Sequence, residues 1–408
     1  MRFWVLLATV LLFAVGCTRE GDPAAGPGAK KSASEEDATL KAQLKSLGYV
    51  DFEPVAAQDA DKSGVLHHDA LRAHPGYNLF NTRSENEALL IDMEGRVVHR
   101  WHNEALGGIW HHIEMLPDGD LLVLAKNGYL ARLRWNSGLR WQLALQVHHD
   151  IEVGPEGTIY VLDRDLFRAP VGPGHLSIVN DAITFIDADG QLIKKEYLHP
   201  FYETRMRPTL WKLWLRSLVF SEQAAIDQLD LSHTNTLERV DRDLGALPTA
   251  GTFLIAARNL DLIAFIHLET RETIWSWGPG ELDAPHQPSV LHNGNLLVFD
   301  NGRERAWSRV LEVEPGSSKI VWEYRGDPLE SFFTRGQGGA QELGNGNILI
   351  TESNKGRVFE VTRAGEIVWD FFNPDLVQET GGEPKRGTIY RMTRVDVALV
   401  DPLLAKTP

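Results

Sequence analysis

The amino-acid sequence predicts an all-β fold, and three observations lead to that prediction. A strand–turn–strand unit recurs along the chain, each copy is followed by a second hairpin, and many of the last strands end in tryptophan. Four strands per copy, recurring roughly every 40 to 55 residues, are typical of a propeller blade. Five copies follow an opening copy at residues 76–103. We therefore predict a six-bladed β-propeller with four-stranded blades.

The repeated unit is recognised by its turn. Asp-Gly and Asn-Gly turns between β-rich runs are strong hairpin signals. The four clearest copies end at Gly119, Gly157, Gly294 and Gly346. A looser copy begins at His233 and resumes at Gly251. The late strand at residues 388–394 has no hairpin of its own, so we expect it to complete the first blade and close the ring.

The rest of the chain fits around this repeat. Residues 199–231 have helical rather than strand character, which predicts a helical insertion over one face of the ring. Residues 18–66 are partly rich in Gly, Ala, Pro and Ser, a composition typical of a flexible tether, with room for one short amphipathic helix. The predicted division is a signal peptide at 1–17, the tether at 18–66, the propeller at 67–400 and a tail at 401–408.

The N-terminus resembles a bacterial lipoprotein signal. Arg2 precedes an apolar run at residues 3–15, which is too short to span a bilayer because a spanning helix needs about 20 residues. Small residues then precede Cys17, the only cysteine, so we expect Cys17 to carry the lipid that anchors the protein in the bacterial cell envelope. Thr18 is not the aspartate of the inner-membrane retention signal, which favours the periplasmic side of the outer membrane. A plain secretory signal with an incidental cysteine is the alternative.

The overall charge limits the class of partner. Lys and Arg total 41 against 56 Asp and Glu, a net charge of −15. A nucleic-acid binder should carry a basic surface, so no nucleic-acid partner is expected. An anionic substrate requires a local cationic cluster that overrides the global field.

The repeat places histidines at equivalent positions. The first strand of each propeller blade lines the central channel, so equivalent positions on these strands face one another. The position eight residues before the turn glycine is His111, His149 and His286 in three copies and Gly338 in a fourth, and His233 occupies the matching strand start in the looser copy. We expect these histidines to surround one channel mouth.

The opposite arm of the hairpin adds positive charge. The residues seven positions after the turn glycines are Lys126, Arg164, Arg258, Asn301 and Ser353. Together with the histidines, these side chains predict a pocket for a small, multiply oxygenated anion, which the planar fork of arginine suits. Metal binding by the histidine ring is the second interpretation. Because no His-x-His or His-Glu-x-x-His spacing occurs, we expect no metal and no cofactor.

Several segments resemble a known family. The segment that begins at His286 is similar to the one that carries the nucleophilic histidine in bacterial arylsulfotransferases. Segments around His149, around His233 and Asn235, and at residues 253–258 are also similar. The resemblance covers roughly residues 74–395.

The resemblance implies a six-bladed propeller that moves a sulfuryl group from a phenolic sulfate ester to a phenol without a nucleotide donor. It implies that His286 is the nucleophile and is transiently sulfated, while His149, His233 and Arg258 hold the sulfuryl oxygens and help to move protons. Five further residues are expected to bind the substrate: His111, Asn235, Arg164, Lys126 and Asn301. The expected partners are a small-molecule aryl sulfate and a phenol.

Other functions remain open on the sequence alone. A non-catalytic envelope propeller lipoprotein that binds a ligand or a protein partner is the main alternative. A quinone-dependent dehydrogenase and a metal-dependent hydrolase are further ones. A scaffold would need none of His286, His149, His233 and Arg258, so their joint occurrence favours the sulfotransferase.

Overall fold

The computed structural model describes residues 52–82, 86–219, 229–377 and 383–406. The predicted signal peptide, Cys17 and residues 18–51 of the predicted tether lie outside these residues. The described chain is dominated by antiparallel strands, numbered β1 to β28 in chain order, with two α-helices, α1 and α2.

Six antiparallel sheets of four or five strands succeed one another along the described chain, and we call them blades 1 to 6. Blade 1 comprises Thr393–Val395 (β28), Tyr77–Thr82 (β3), Glu87–Ile91 (β4) and Val97–His102 (β5). Blade 2 comprises Trp110–Met115 (β6), Leu121–Ala125 (β7), Tyr129–Leu133 (β8) and Leu139–Ala144 (β9). Blade 3 comprises Ile151–Val153 (β10), Ile159–Val171 (β11), Gly174–Ile186 (β12) and Leu192–Tyr197 (β13).

The remaining blades have the same antiparallel order. Blade 4 comprises Thr234–Val240 (β14), Thr252–Ala257 (β15), Leu262–His267 (β16) and Glu272–Trp277 (β17). Blade 5 comprises Pro285–Val290 (β18), Leu296–Asp300 (β19), Arg309–Glu314 (β20) and Lys319–Arg325 (β21). Blade 6 comprises Gly339–Glu342 (β22), Ile348–Glu352 (β23), Arg357–Val361 (β24), Ile367–Phe372 (β25) and Gly64–His68 (β2). A smaller sheet holds Phe52–Pro54 (β1), Lys385–Gly387 (β27) and Leu376–Val377 (β26).

Apolar clusters join each blade to the next. Each pair of successive blades shares one cluster, and a sixth cluster joins blade 6 to blade 1. In that sixth cluster, the ring centroids of Phe80 of blade 1 and Phe371 of blade 6 lie 5.7 Å apart. Two of the strand-ending tryptophans, Trp101 and Trp369, are fully buried in these clusters, as expected of core residues. Burying a large apolar side chain stabilises a fold by about 1.5–3 kcal/mol. The predicted all-β propeller class is confirmed.

The late strand closes the ring in the expected way. β28 pairs antiparallel with β3, so the first strand of blade 1 comes from the far end of the chain. This strand begins later than the predicted 388–394 and ends one residue beyond it, at Val395, while the preceding residues 385–387 pair with β1. Arg394 of β28 donates hydrogen bonds to Asn78 of β3 and Glu360 of β24, so one buried side chain joins blade 1 to blade 6.

The predicted insertion is helical. Helix α1 spans His199–Val219, and residues 220–228 lie outside the described residues. Tyr202, Met206 and Leu210 follow one another at intervals of four, so they lie on one helix face, and they are buried in the cluster between blades 3 and 4. The Tyr202 hydroxyl lies 3.1 Å from the Thr234 hydroxyl. The helix therefore packs beside the extended β11–β12 hairpin, whose strands have 13 residues each.

Two predicted boundaries differ from the structure. The tether was expected to run to residue 66, but β1 joins the small sheet and β2 is the outermost strand of blade 6. β2 covers the otherwise unpaired edge of β25, which explains why this segment is ordered. Residues 401–404 of the predicted tail at 401–408 also form structure, because helix α2 (Val397–Leu404) packs Leu403 against the cluster of blades 1 and 2. In the described part of the chain, no helix has the length and apolar character needed to cross a membrane.

We expect Arg394→Ala to destabilise the protein strongly. The Arg394 guanidinium and the Glu360 carboxylate are both buried, with 3.1 Å between Nη1 and Oε2. Removing one partner of such a pair typically costs about 3–5 kcal/mol, because a charge is left buried without compensation. Urea denaturation measures the loss. Arg96→Ala, which removes an exposed ion pair with Asp92 on a turn, is the control, and equal destabilisation by both variants would contradict the role of the closing strand.

Candidate functional site

Four histidines occupy equivalent places at the starts of first strands. His111 lies in β6, His149 two residues before β10, His233 directly before β14, and His286 in β18, and each is at most 3% exposed. The ring centroid of His149 lies 5.4 Å from that of His111 and 4.8 Å from that of His233. The structure thus brings three of the predicted rings into contact at one mouth. Burial, and after it the charge of Arg258, lowers the pKa of the fourth ring, that of His286.

The backbone is strained where these side chains enter the mouth. His149 and His233 have φ values of 60° and 48°, and Gln287 and Gln337 in the next blades have 42° and 65°. Non-glycine residues rarely adopt this left-handed conformation, which costs on the order of 1–3 kcal/mol and is concentrated at functional sites. A left-handed residue within one position of the repeat's histidine position in blades 3, 5 and 6, and at His233 in blade 4, indicates that the positions of these side chains matter.

The hydrogen bonds of His286 determine which of its nitrogens carries the proton. Its Nδ1 lies 2.6 Å from Asn301 Oδ1 and 3.1 Å from the Ala284 carbonyl oxygen. Both partners are acceptors, so Nδ1 carries the hydrogen. Nε2 accepts a hydrogen bond of 3.2 Å from the Gln337 backbone N–H. His286 therefore carries its hydrogen on Nδ1 and its lone pair on Nε2.

The orientation of the Asn301 amide is itself fixed. Its Nδ2 donates to the carbonyl oxygens of Thr334, at 2.9 Å, and Gln337, at 2.8 Å. Since carbonyls only accept, the amide oxygen must face His286. Asn301 is fully buried.

His233 has a carboxylate partner. Its Nδ1 contacts Asp230 Oδ2, and the acid lies three residues earlier in the chain. Burial would raise the pKa of Asp230, but the neighbouring His233 and the cations Arg258 and Arg164 hold that pKa below its ordinary range. Asp230 therefore remains a carboxylate that orients the ring of His233 and leaves Nε2 on the opposite side.

His149 has a second histidine as its partner. The Nδ1 atoms of His148 and His149 lie 2.8 Å apart, and Nε2 of His148 is 3.4 Å from Asp181 Oδ1. Asp181 Oδ2 accepts hydrogen bonds from the Ser232 hydroxyl and the Thr234 backbone N–H. Asp181, His148 and His149 form a buried row from the gap between blades 3 and 4 to the mouth.

Burial keeps the rings neutral. Loss of solvent is the main cause that lowers the pKa of His286 to about 3 and that of His233 to about 4. The pKa of His149 is also well below its ordinary value, first because of burial and then because of His233 and Lys126. Neutral imidazoles carry the lone pair that a nucleophile or a base needs.

Two of the three predicted cations directly follow the second strands of their blades. Lys126 follows β7, Arg258 follows β15, and Arg164 lies within the longer β11. Arg258 is 6% exposed, and its Nε donates to Asn259 Oδ1 over 3.1 Å. Nη2 of Arg164 donates to Asn127 Oδ1 over 2.5 Å. Lys126 acts on His148, His149 and His233 through its charge. The mouth is thus locally cationic in a chain whose net charge is −15.

Asn235 was expected to bind the substrate, but its side chain is bonded to the neighbouring strand β18. It is fully buried, and its Nδ2 donates to the Pro285 carbonyl oxygen, one residue before His286. Asn235 and Asn301 therefore both position His286. His111 lies beside Tyr390, with ring centroids 4.1 Å apart.

Sequence reasoning missed several groups at the site. His148, Asp230, Gln337 and Tyr390 contact predicted residues, and Asp181 contacts His148. His148 had a visible signal, since it directly precedes His149. Asp181, by contrast, belongs to the third strand of its blade, where no repeat position indicates a role.

The described residues offer no metal centre of the usual kind. Among them, no group of three or more His, Cys, Asp or Glu side chains is arranged to hold a metal ion.

Comparison with known proteins identifies the family and supports the fold. The model of a family described as "Arylsulfotransferase (ASST)" matches residues 112–374. No curated protein matches the sequence. A solved protein of unknown function from Bacteroides caccae is 14% identical with a TM-score of 0.52, covering 79% of this chain and 99% of its own.

Two further solved structures are also similar. Streptogramin B lyase is 14% identical with a TM-score of 0.46, covering 81% of this chain and 88% of its own. BamB from Moraxella catarrhalis is 14% identical with a TM-score of 0.37, covering 78% and 80%. Identities this low concern the fold alone.

We expect the imidazole of His286 to remain neutral at pH 5. An ordinary histidine with a pKa of about 6.5 would be mostly protonated there, whereas burial lowers the pKa of His286 to about 3. NMR spectroscopy of protein labelled with ¹⁵N-histidine measures the protonation state, and the signal lost in His286→Asn identifies the ring. A His286 signal that titrates with a midpoint near 6 would contradict the geometry.

Proposed function

Since the chain belongs to the arylsulfotransferase family, we propose that it moves a sulfuryl group from a phenolic sulfate ester to a phenol through a covalent intermediate on His286. Family membership supports sulfotransferase activity in general. The observation that carries the finer proposal is the hydrogen bonding of His286, which places the hydrogen on Nδ1 and the lone pair on Nε2, where it accepts from the Gln337 backbone N–H until a donor displaces that bond.

The first half of the reaction forms a sulfohistidine. The Nε2 lone pair attacks sulfur, the bond between sulfur and the phenolic oxygen breaks, and the phenolate leaves with that electron pair. The ring becomes cationic as the new bond forms. The carbonyl oxygens of Asn301 and Ala284 accept from Nδ1–H and stabilise that positive charge.

The sulfuryl oxygens carry negative charge during the transfer, as phosphoryl oxygens do. Arg258, whose charge acts on His286, is suited to bind two of them through its planar fork. The Gln337 backbone N–H, which bonds Nε2 at rest, becomes free to donate to a sulfuryl oxygen once Nε2 is sulfated.

The second half returns the sulfuryl group to a phenol. A neutral imidazole, His149 or His233, removes the proton of the acceptor phenol, the phenolic oxygen attacks sulfur, and the electron pair of the S–N bond returns to Nε2. The imidazole then gives this proton to the phenolate that leaves the next donor molecule. The reaction so written requires no cofactor.

The remaining site residues divide into two roles in this proposal. Asn301 and Asn235 position His286 and do not touch the substrate. His111, Arg164 and Lys126 line the mouth and bind the small-molecule aryl sulfate, for which Arg164 and Lys126 supply positive charge.

We also propose that Cys17 is lipidated and holds the protein in the bacterial cell envelope, with the periplasmic side of the outer membrane preferred. The support is the signal-like sequence that ends at Cys17.

The nucleophile is tested with donor alone. Incubation with nitrophenyl sulfate should add one sulfuryl group, about 80 Da by mass spectrometry, because double displacement stores the group on the enzyme. Phenol should then remove it. His286→Asn should give no adduct, since an amide cannot replace imidazole as the nucleophile.

The matched control is His292→Asn, an exposed histidine in the same blade, which should form the adduct normally. An undiminished adduct on another residue of His286→Asn would reject His286 as the nucleophile. No adduct and no transfer with any aryl sulfate would favour the binding scaffold instead.

Anchoring is tested separately. Cys17→Ala should move the protein from the membrane fraction to the soluble fraction, because the thiol that receives the lipid is lost. Fractionation followed by immunoblotting measures the change. Retention equal to that of the unmodified sequence would reject the anchor.

A further inference from the structure

We propose that Asp181, acting through His148, holds His149 in the tautomer whose Nε2 accepts protons, and that His149 is therefore the base for the acceptor phenol. This inference rests on the proposed sulfuryl transfer. His149 is the catalytic residue in it, while His148 and Asp181 are positioning residues.

The contact between the two histidines links their tautomers. Their Nδ1 atoms lie 2.8 Å apart, so one must donate and the other must accept. If His148 donates, its Nε2 carries a lone pair and His149 carries its hydrogen on Nε2. If His149 donates, its own Nε2 carries the lone pair and His148 has its hydrogen on Nε2.

Asp181 selects the second arrangement. Its Oδ1 lies 3.4 Å from His148 Nε2, and a carboxylate favours an N–H over a lone pair at that distance. Its other oxygen accepts from Ser232 Oγ at 2.9 Å and from the Thr234 N–H at 2.7 Å, so the carboxylate is held in place. His148 thus presents Nε2–H to Asp181 and accepts from His149 at Nδ1. His149 is left with a lone pair on Nε2.

The surrounding charges make the carboxylate necessary. After burial, the charges of Arg164 and Lys126 act on His148, and the charge of Lys126 acts on His149. The cations lower the proton affinity of both rings, and burial lowers it further. Asp230 also faces His148, but its Oδ2 is engaged by His233 Nδ1. Asp181 is therefore the carboxylate whose charge compensates a proton taken up by His149.

The proton transfer balances as follows. The phenolic proton moves to His149 Nε2 while the phenolic oxygen attacks the sulfur on His286, and the S–N bond breaks with its electron pair returning to His286. The His149 cation shares its Nδ1 hydrogen with His148, which is in turn paired with Asp181. The proton leaves with the phenolate of the next donor.

Asp181→Asn should reverse both tautomers. The amide oxygen can keep the bonds from Ser232 and Thr234, which turns its NH₂ toward His148 Nε2. His148 then accepts at Nε2 and donates at Nδ1, and His149 loses its basic Nε2. Transfer from sulfated enzyme to phenol should fall by about 10³- to 10⁴-fold, as expected for a histidine held in the wrong tautomer.

Two other rates should change far less in Asp181→Asn than transfer to phenol does. Adduct formation from nitrophenyl sulfate should change only a few-fold, because nitrophenolate leaves without a proton. Transfer to an acceptor that is already ionised at the assay pH should also fall far less than transfer to phenol. A merely structural role for Asp181 would reduce transfer to both acceptors equally.

The control is Asp120→Asn, which places an amide at another buried aspartate, a partner of Arg132 in blade 2, and should leave the ratio between the acceptors unchanged. His148→Gln is the second test. Its amide oxygen can still accept from His149 Nδ1–H but cannot carry a proton, so transfer should fall less than in Asp181→Asn.

The unmodified protein provides a test that does not depend on variant folding. ¹⁵N NMR should show His149 protonated on Nδ1 and His148 on Nε2 at neutral pH, and the opposite pattern would overturn the inference. So would a folded Asp181→Asn protein with equal losses for both acceptors. Failure of the unmodified protein to form any adduct would reject the proposed function. If the unmodified protein forms the adduct but Asp181→Asn loses transfer to both acceptors equally, only this inference is rejected.

Discussion

The pairing of β28 with β3 is the constraint on which the rest of the molecule depends. Without this pairing, blade 1 would lack its first strand, and the row of six sheets would remain open between blades 1 and 6. Once the last strand joins the first blade, the strand starts converge on one mouth. Arg394 reinforces this closure because its buried guanidinium bonds to both Asn78 and Glu360. The side chains of the site are therefore brought together by an interaction between the two ends of the described chain.

Convergence alone would only collect imidazoles, and it is their burial that keeps them neutral. A buried ring favours its neutral form, because the charged form loses its solvation. Each ring is then oriented by a different partner at Nδ1: Asn301 for His286, Asp230 for His233 and His148 for His149. An amide oxygen, a carboxylate and a second imidazole differ in how well they stabilise a positive ring. Equivalent positions in the repeat can thus perform different chemical tasks.

The repeat also explains where strain is tolerated. Residues close to the first-strand starts adopt a left-handed backbone in blades 3, 4 and 6, at His149, His233 and Gln337. The adjoining four- and five-stranded sheets are rigid and share apolar clusters on both sides, so they can hold these conformations. At Gln337 the distortion presents a backbone N–H to His286 in place of a side chain.

The sequence alone determined the propeller class, the closing strand, the helical character of residues 199–219, and the positions that meet at the mouth. It could do so because turn glycines recur at a fixed distance from His111, His149 and His286, and a repeat converts sequence position into spatial position. Tertiary structure decided which side chains orient each histidine ring. Asp181 comes from the third strand of blade 3 and Asp230 from the end of the insertion, where no repeat applies. It also decided that β2 belongs to blade 6. Hydrogen bonds and strand pairings between distant segments depend on the packed distance of their atoms, which no local pattern encodes.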